Sequence, residues 1–459
     1  MKPSIPQGTR DFGPTEVYKR QYILNTIRSV FELYAYQPLE TPSMENLSTL
    51  MGKYGEEGDR LIFKILNNGL YEKKDKEKLN EEWEKITSKP YSSSIITERA
   101  LRYDLTIPFA RFVVMHQNDL AFPFKRYQMQ PVWRADRPQR GRYREFWQCD
   151  ADVVGSNSLV NEAELLCIYQ EAFHLLKIPQ VNVKINSRKI LAGLAEVLGL
   201  AEKLTDITVA IDKLDKISWE GVAKELKEKS ITPESISFIE KYLNVGGNNE
   251  EKLEKMGILL QNSPTALKGI EELKTTIQYL EHLKKQEWQS ELLVDFTLAR
   301  GLNYYTGVIV EVGTSAVKMG SIGGGGRYDD LTGLFGLKGL SGVGVSFGID
   351  RIYDVMEELS LFPHQLSEGA KVLLLLLDEN GLERGLQYLS HLRNAGISCD
   401  MYADKAKFDK QMKYANKRNV PFVAILGTEE LEKNTISMKN MQTGEQQTLT
   451  IEALIHHFS

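Results

Sequence analysis

Val17, Tyr18, Gln21, Leu24, Ile27, Phe31 and Tyr34 recur at helical spacing over residues 15–36, after a start signal at Pro14-Thr15. Pro38 and Pro42 then force an extended stretch. Residues 69–90 are rich in Lys and Glu with few apolar positions, and read as an exposed insert with room for a short helix. Residues 91–155 alternate short apolar and polar stretches, which predicts antiparallel strands around a sharp loop. A helix is predicted over 161–176, through Leu165, Leu166, Ile168, Tyr169 and Phe173, and a strand over 181–186. From about 190 to 290 the pattern is helical with polar faces, broken once at 245–249. Strand signals return at 292–297, 303–312 and 341–347. A further unit begins near 369 with the apolar run VLLLLLD. Leu382, Leu386, Leu389 and Leu392 then mark a helix, 397–402 a strand, a lysine-rich segment another helix, and 420–427 another strand. This alternation implies a parallel or mixed α/β layer with helices on both faces.

A chain of 459 residues exceeds one ordinary core and implies two to four domains. Hydrophobic content of 42% and charged content of 26% describe a soluble globular protein. No apolar run approaches the roughly 18 residues that span a bilayer, so no membrane association is expected. The first residues, MKPSIPQGTRDFGP, lack the apolar core of a signal peptide, and a cytoplasmic location is expected. Cys149, Cys167 and Cys399 are too far apart for a zinc spacing or a disulfide framework. The seven histidines form no ligand pair, so no structural metal is expected. A net charge of −5 argues against generic nucleic-acid binding but leaves room for local basic faces. Two segments qualify: residues 123–144, with seven Lys/Arg against Asp136, and residues 404–418, with six against two acids.

Five segments could carry chemistry. In PFKRYQMQPVWRADRPQRGRYREFWQCDADVVG (123–155), Arg134, Arg137, Arg140, Arg142 and Arg144 fall within eleven positions, and Pro138 and Gly141 permit a tight turn. Planar guanidinium groups suit phosphate, so the loop can hold a polyphosphate and a nucleic-acid end, or be a salt-bridged surface hairpin. ARGLNYYTG (299–307) suggests a pocket lip, or a strand with its tyrosines split between core and surface. SIGGGGRYDDL (321–331) allows close backbone approach to a ligand, or forms a flexible loop. It is neither a phosphate-binding P-loop nor a dinucleotide fingerprint. GVGVSFGIDRI (342–352) reads as a glycine-spaced strand leading into a helix, able to accept a flat base or serving as a packing corner. In ALRYDLTIPFAR (100–111), Asp104 and Thr106 share one face of a predicted strand, and could hold an ammonium group or simply face solvent.

Together and in this order, the segments resemble class II aminoacyl-tRNA synthetases, and specifically the histidyl-tRNA synthetase family. The arginine-rich stretch resembles motif 2, GVGVSFGIDRI resembles motif 3, and the region ending in LETP near Pro42 is similar to motif 1. RGLNYYTG and GGGGRYDDL are similar to the two histidine signatures, and RYDLTIPFAR to the version in eukaryotic-type members. The resemblance implies an α+β catalytic domain on an antiparallel sheet, with a helical insertion and a C-terminal α/β anticodon-binding domain. The segments would be 1–190 and 291–366 (catalytic), 191–290 (insertion) and 369–459 (anticodon-binding). It implies a histidine–tRNA ligase activity, with L-histidine, ATP accompanied by Mg²⁺, and the histidine tRNA as partners, and a homodimer.

The implied roles fall on matching positions. Asp104, Thr106 and Gln148 would hold the α-amino group, Asp152 and Tyr305 would read the imidazole, and Tyr304 would line the pocket. Arg134 and Arg300 would flank the α-phosphate as the catalytic pair, with Arg300 also at the histidine. Arg142 would hold the pyrophosphate, Phe146 would stack on adenine, and Arg351 would lie near adenine and the γ-phosphate. Gln139 and Arg140 could contact the acceptor end of the tRNA, and Lys410, Lys413, Tyr414 and Lys417, beside Arg418, its anticodon region. One departure stands out: the family usually has aspartate where this chain has Asn303, next to the Arg300 site. A regulatory paralogue without ligase activity, or a sister synthetase for proline, threonine or glycine, are the competing readings; Arg300, Arg351, the C-terminal segment and the two signatures speak against them.

Overall fold

Glycine-rich, aromatic and β-branched segments far apart in sequence meet in one large sheet. The computed structural model describes residues 2–88, 92–214, 216–299, 304–363, 366, 369–377 and 379–458. The sheet's strands are β1 (Gln37–Pro38), β2 (Phe124–Trp133), β3 (Glu145–Val154), β4 (Val181–Ser187), β5 (Glu291–Val294), β6 (Val308–Thr314), β7 (Gly323–Tyr328) and β8 (Gly342–Gly348). Their order is β1-β2-β3-β8-β7-β6-β4-β5. The six central strands pair antiparallel, and only the outer pairs β1–β2 and β4–β5 are parallel.

Period-2 alternation gives the sheet two chemically different faces. On one face Tyr127 of β2 and Phe347 of β8 stack with Phe31, Tyr169 and Phe173, at centroid distances of 4.6–5.8 Å for the ring pairs. Phe31 comes from helix α1 (Pro14–Leu33), whose buried stripe Ile23, Ile27, Val30 and Phe31 follows the predicted helical spacing. On the other face the alternate residues are polar, and that face carries the site.

Two expectations are corrected here. Asp104 and Thr106 do not sit on a strand: after the short strand Arg99–Leu101, helix α2 (Thr106–Met115) begins at Thr106. The Asp104 carboxylate accepts the Ile107 backbone N–H at 3.1 Å, satisfying a free donor of the first helical turn, which favours the helix over extension of the strand. The glycine run 323–326 is not a loop but the body of β7, hydrogen-bonded along both edges. The exposed insert does carry a helix, Lys76–Ser88.

Helix α3 (Val160–Leu175) and α4 (Arg188–Val197) flank β4, and further helices follow up to α5 (Pro264–Leu283), as the polar-faced helical pattern predicts. Helix α6 (Ile349–Glu358) continues directly from β8. By compactness, Met1–Asp11 and Arg20–Leu361 form one unit, and Phe12–Lys19 with Phe362–Ser459 the other.

In the second unit, β9 (Val372–Leu376), β10 (Cys399–Met401) and β11 (Phe422–Leu426) are parallel, while β12 (Ile436–Asn440) and β13 (Gln446–Leu449) join antiparallel, in the order β10-β9-β11-β12-β13. Val372 and Leu374 face helices α7 (Leu382–Asn394) and α9 (Ile451–Phe458); Leu373 and Leu375 face the side of α8 (Phe408–Lys417). The two clusters explain why β9 is apolar without alternation. β12 and β13 were not read from the sequence: ISMKN and QQTL are short and mix few apolar residues with polar ones. Among the described residues, no helix is long and apolar enough to cross a membrane.

Candidate active site

The β2–β3 hairpin supplies most of the site. Its loop, 134–144, is closed by a bridge between Gln139 and Arg142, with Gly141 at φ 70° in the turn. Phe146, Gln148, Asp150 and Asp152 alternate along β3 and share its polar face. Across β3, the residues opposite Asp152 are Arg126 on β2 and Gly344 on β8; those opposite Asp150 are Gln128 and Ser346.

A cleft of about 360 Å³ lies over this face. Arg134, Arg142, Phe146, Gln148, Tyr305 and Arg351 all line it. Six residues singled out from three separated segments therefore converge on one cavity. The backbone of β7, through Gly323, Gly324 and Gly325, forms part of the same wall, so the glycine run does bring main chain to the cavity, as a strand.

The arginines are held in place. Arg134 donates from Nε to the Tyr103 carbonyl at 3.1 Å, and its guanidinium lies 4.2 Å from the Tyr103 ring centroid and 5.2 Å from that of Phe146. Arg351 donates from Nε to the Gly141 carbonyl at 2.7 Å and from Nη1 to the Ser321 carbonyl at 2.6 Å. It thus ties α6 to the hairpin loop and to the start of β7. Arg142 is exposed and lies 3.8 Å from Asp136. Arg140 and Gln139 are exposed at the loop tip, with Arg140 ion-paired to Glu358.

Asp350, also on the cleft, accepts from Arg20 at 2.6 Å, from Arg10, and from the Trp147 N–H at 2.9 Å. The Arg10 guanidinium in turn covers the Tyr143 ring. Sequence reading missed this anchor, since nothing in the N-terminal segment points to a residue 340 positions away.

Asp104, Thr106, Asp152 and Tyr304 are not among the residues lining the cleft; they form the layer beside it. Asp104 is buried and accepts the Tyr54 hydroxyl at 3.0 Å and that of Tyr304 at 3.4 Å. Burial holds its carboxyl above the ordinary range, against the pull of the Ile107 N–H and Arg134. Tyr304 also bonds Thr106, and its ring meets that of Tyr305 edge-on at 5.0 Å. Asp152, 2% exposed, accepts the Tyr328 hydroxyl at 2.6 Å and pairs with the fully buried Arg126 at 2.8 Å. Burial raises its carboxyl too, and Arg126 opposes the rise. Room for Asp152 comes from Gly344: a Cβ there would fall 1.9 Å from Asp152 Oδ1.

Arg327, the arginine of GGGGRYDDL, faces away from this chemistry. It is buried, with Nη2 on Glu162 at 2.7 Å and Nη1 on the Ser156 carbonyl at 3.1 Å. Arg300 and Asn303 lie outside the described residues. Among the described residues no cluster of three His, Cys, Asp or Glu could hold a metal ion, and Cys149, Cys167 and Cys399 are buried and free.

In the second unit, Lys410, Lys413, Tyr414 and Lys417 are exposed on α8, while Gln411 and Ala415 of the same helix are buried. Gln411 clamps β9 by bonding both the N–H and the carbonyl of Leu376, at 3.1 and 2.7 Å. The Tyr414 ring packs edge-on against Tyr402 at 5.1 Å and its hydroxyl accepts from Arg418 at 3.1 Å.

Known proteins match this arrangement from end to end. A family model described as histidyl-tRNA synthetase matches residues 92–352, and one described as anticodon binding domain matches 371–459. The histidine–tRNA ligase of Christiangramia forsetii is 55% identical over 457 residues, covering 99% of this chain and 98% of that protein. That of Bacteroides fragilis is 54% identical, with the same coverage. Among solved structures, a histidyl-tRNA synthetase from Nostoc is 30% identical, with a TM-score of 0.81 and 100% of each chain covered.

Proposed function

From the premise that this chain belongs to the histidyl-tRNA synthetase family, we propose a division of labour among the residues of its cleft. The protein is an ATP-dependent enzyme that activates histidine to histidyl-adenylate, releases pyrophosphate, and transfers histidine to the 3′ end of its tRNA. The observation that carries the residue assignment is the meeting of Arg134, Arg142, Phe146, Gln148, Tyr305 and Arg351 around one cleft.

In this reading the triphosphate lies along the arginines. Arg134 contacts the α-phosphate from the hairpin side, and Arg300 approaches it from the other. Arg142 holds the leaving pyrophosphate, and Arg351 the γ-phosphate and the edge of the adenine, which stacks on Phe146. The histidine carboxylate attacks the α-phosphorus in line. Fixed guanidinium groups neutralise the charge that grows on the phosphoryl oxygens, and cost no reorganisation when the reaction occurs. Mg²⁺ would accompany ATP and supply further neutralisation of the phosphate charge. Glu311 is a carboxylate on the cleft that would meet it.

Histidine occupies the deeper end. Asp104, Thr106 and Gln148 hold its ammonium group, Asp152 and Tyr305 read the ring, and Tyr304 closes the pocket. Buried polar groups left unpaired by any other amino acid give selectivity of roughly 10⁴ or more without editing. Gln139 and Arg140 reach the acceptor end of the tRNA; Lys410, Lys413, Tyr414 and Lys417 meet its anticodon region. The four segments 1–190, 191–290, 291–366 and 369–459 act as catalytic, inserted, catalytic and anticodon-binding parts. A cytoplasmic homodimer completes the proposal.

Histidine-dependent exchange of labelled pyrophosphate into ATP tests it. Exchange with histidine alone among the amino acids is the expected result. Exchange driven by proline, threonine or glycine, or none at all, would overturn the assignment of the cleft.

A further inference from the structure

Gln148 and Asp152 have roles in the reading above, but Asp150, which stands between them on the same face of β3, has none. It is 2% exposed, and its Oδ1 has no hydrogen-bond partner among the described residues. A buried carboxylate oxygen without a donor is costly, and a native protein keeps one where it serves a purpose.

The groups around it define a charge balance. Asp152 is its neighbour on β3. From β2 come Arg126 and Gln128, and from β8 Ser346, which hydrogen-bonds the Asp150 side chain. Asp104, ahead of α2, adds negative charge. The hydroxyls of Tyr169 and Tyr305 and the Cys149 thiol are within electrostatic reach, and all three stay neutral because burial raises them. Arg102 is also within electrostatic reach; its Nε serves the Pro131 carbonyl and its Nη1 the Thr41 carbonyl and Gln130, while its buried Nη2 has no hydrogen-bond partner among the described residues. Arg126 places Nη2 on Asp152. Of the two buried carboxylates, Asp152 therefore has a guanidinium in contact and Asp150, among the described residues, has none. Burial pushes the Asp150 carboxyl up to about 7, with Arg126 pulling it down and Asp152 pushing it further up.

We propose that Asp150 is a positioning residue of the histidine subsite: in the unliganded pocket the Asp150–Asp152 pair keeps one proton, and the ring of an incoming neutral histidine takes it. The inference rests on the reading of Asp152 as the residue that meets the imidazole. The balance closes: a carboxyl O–H bond breaks, a ring N–H bond forms, and both carboxylates are left ionised around an imidazolium. Arg126 and the new cation then offset both charges, so binding completes the ion pairing that the empty site lacks.

The consequence is a pH dependence with a definite sign. Between about 6.5, where free imidazole titrates, and about 7, binding exchanges no proton with solvent. Above that window the pair has lost its proton and must recover it on binding, so affinity falls up to tenfold per pH unit. Below it, histidine arrives already protonated and the pair must release its own proton, so affinity falls again.

The test compares wild type with Asp150→Asn in histidine-dependent pyrophosphate exchange at saturating ATP. Between pH 7.5 and 8.5 the wild-type KM for histidine should rise about eightfold relative to that of the variant, the change one group titrating near 7 produces. Titration of the α-amino group of histidine is common to both and cancels in the ratio. Parallel profiles would overturn the proposal. Asp152→Asn separates the two layers: a wild-type histidine KM in that variant means the reading of Asp152 fails and takes the proposal with it. An impaired Asp152→Asn beside parallel Asp150 profiles means that the proton-holding role alone fails. Should Asp150→Asn not fold, calorimetry of histidine binding to wild type at pH 8.5, in two buffers of different ionisation enthalpy, decides. Uptake of close to one proton supports the proposal, and none overturns it.

Discussion

The Tyr328 hydroxyl donates to Asp152 at 2.6 Å, joining two segments 176 residues apart beside the cleft, in the proposed histidine subsite. It fixes one carboxylate oxygen while Arg126 engages the other. Tyr328→Phe removes a donor from a buried acceptor, which costs about 1–3 kcal/mol. The KM for histidine should rise roughly tenfold or more, the lower end of that range, with the KM for ATP unchanged. A proportional rise in both would mean that Tyr328 supports the whole fold rather than the amino-acid subsite.

Asp152→Ala goes further, because it also strands Arg126, a guanidinium with no solvent exposure. Histidine binding should be severely impaired while nucleotide binding, which the proposed reading assigns to residues of the hairpin loop, Phe146 and α6, stays near wild type. Fluorescence or calorimetric titration with each substrate separately checks this. Equal loss of both affinities would sink the assignment.

The parts of this site that were legible in sequence are those whose chemistry is local. Arg134, Arg142 and Arg351 stood out in two separated segments, and the structure brings all three to one cleft; Phe146 and Gln148 fall on one face by simple alternation. Asp104 and Thr106 were identified as polar partners but misread as strand residues, since Asp104 caps a helix through a side-chain bond that periodicity does not register. For the glycines 323–326 the sequence left close backbone approach and a flexible loop both open; hydrogen bonding to β6 on one edge and β8 on the other outweighs their low strand propensity and excludes the loop. Arg126, Asp150 and Tyr328 were missed for another reason. Their roles exist only through cross-strand register, Arg126 opposite Asp152 and Ser346 opposite Asp150, which no single segment encodes.

The proposed role of Arg300 can be tested apart from histidine binding. In the proposed reading it faces the α-phosphate from the side opposite Arg134. Removing a donor aimed at charge that develops in the transition state costs about 3 kcal/mol, or two orders of magnitude and more in rate. Arg300→Ala should lower pyrophosphate exchange by that factor with little change in the KM for ATP. An exchange rate near wild type would defeat the catalytic assignment.

The second unit offers a prediction that leaves adenylate chemistry alone. Lys413 and Lys417 are exposed one turn apart on α8, on the helix face opposite the buried Gln411 and Ala415 that hold it to the sheet. Reversing both charges therefore disturbs no packing, and the helix should stay folded by circular dichroism. If phosphate neutralisation by these lysines contributes to tRNA capture, Lys413→Glu with Lys417→Glu should raise the KM for tRNA in aminoacylation about tenfold or more at low salt. The penalty should shrink as salt is raised, because the wild type loses its own phosphate contacts to screening. Histidine-dependent pyrophosphate exchange, which needs no tRNA, should stay at its wild-type rate. A variant that aminoacylates normally at low salt would show that α8 presents its charges to solvent alone.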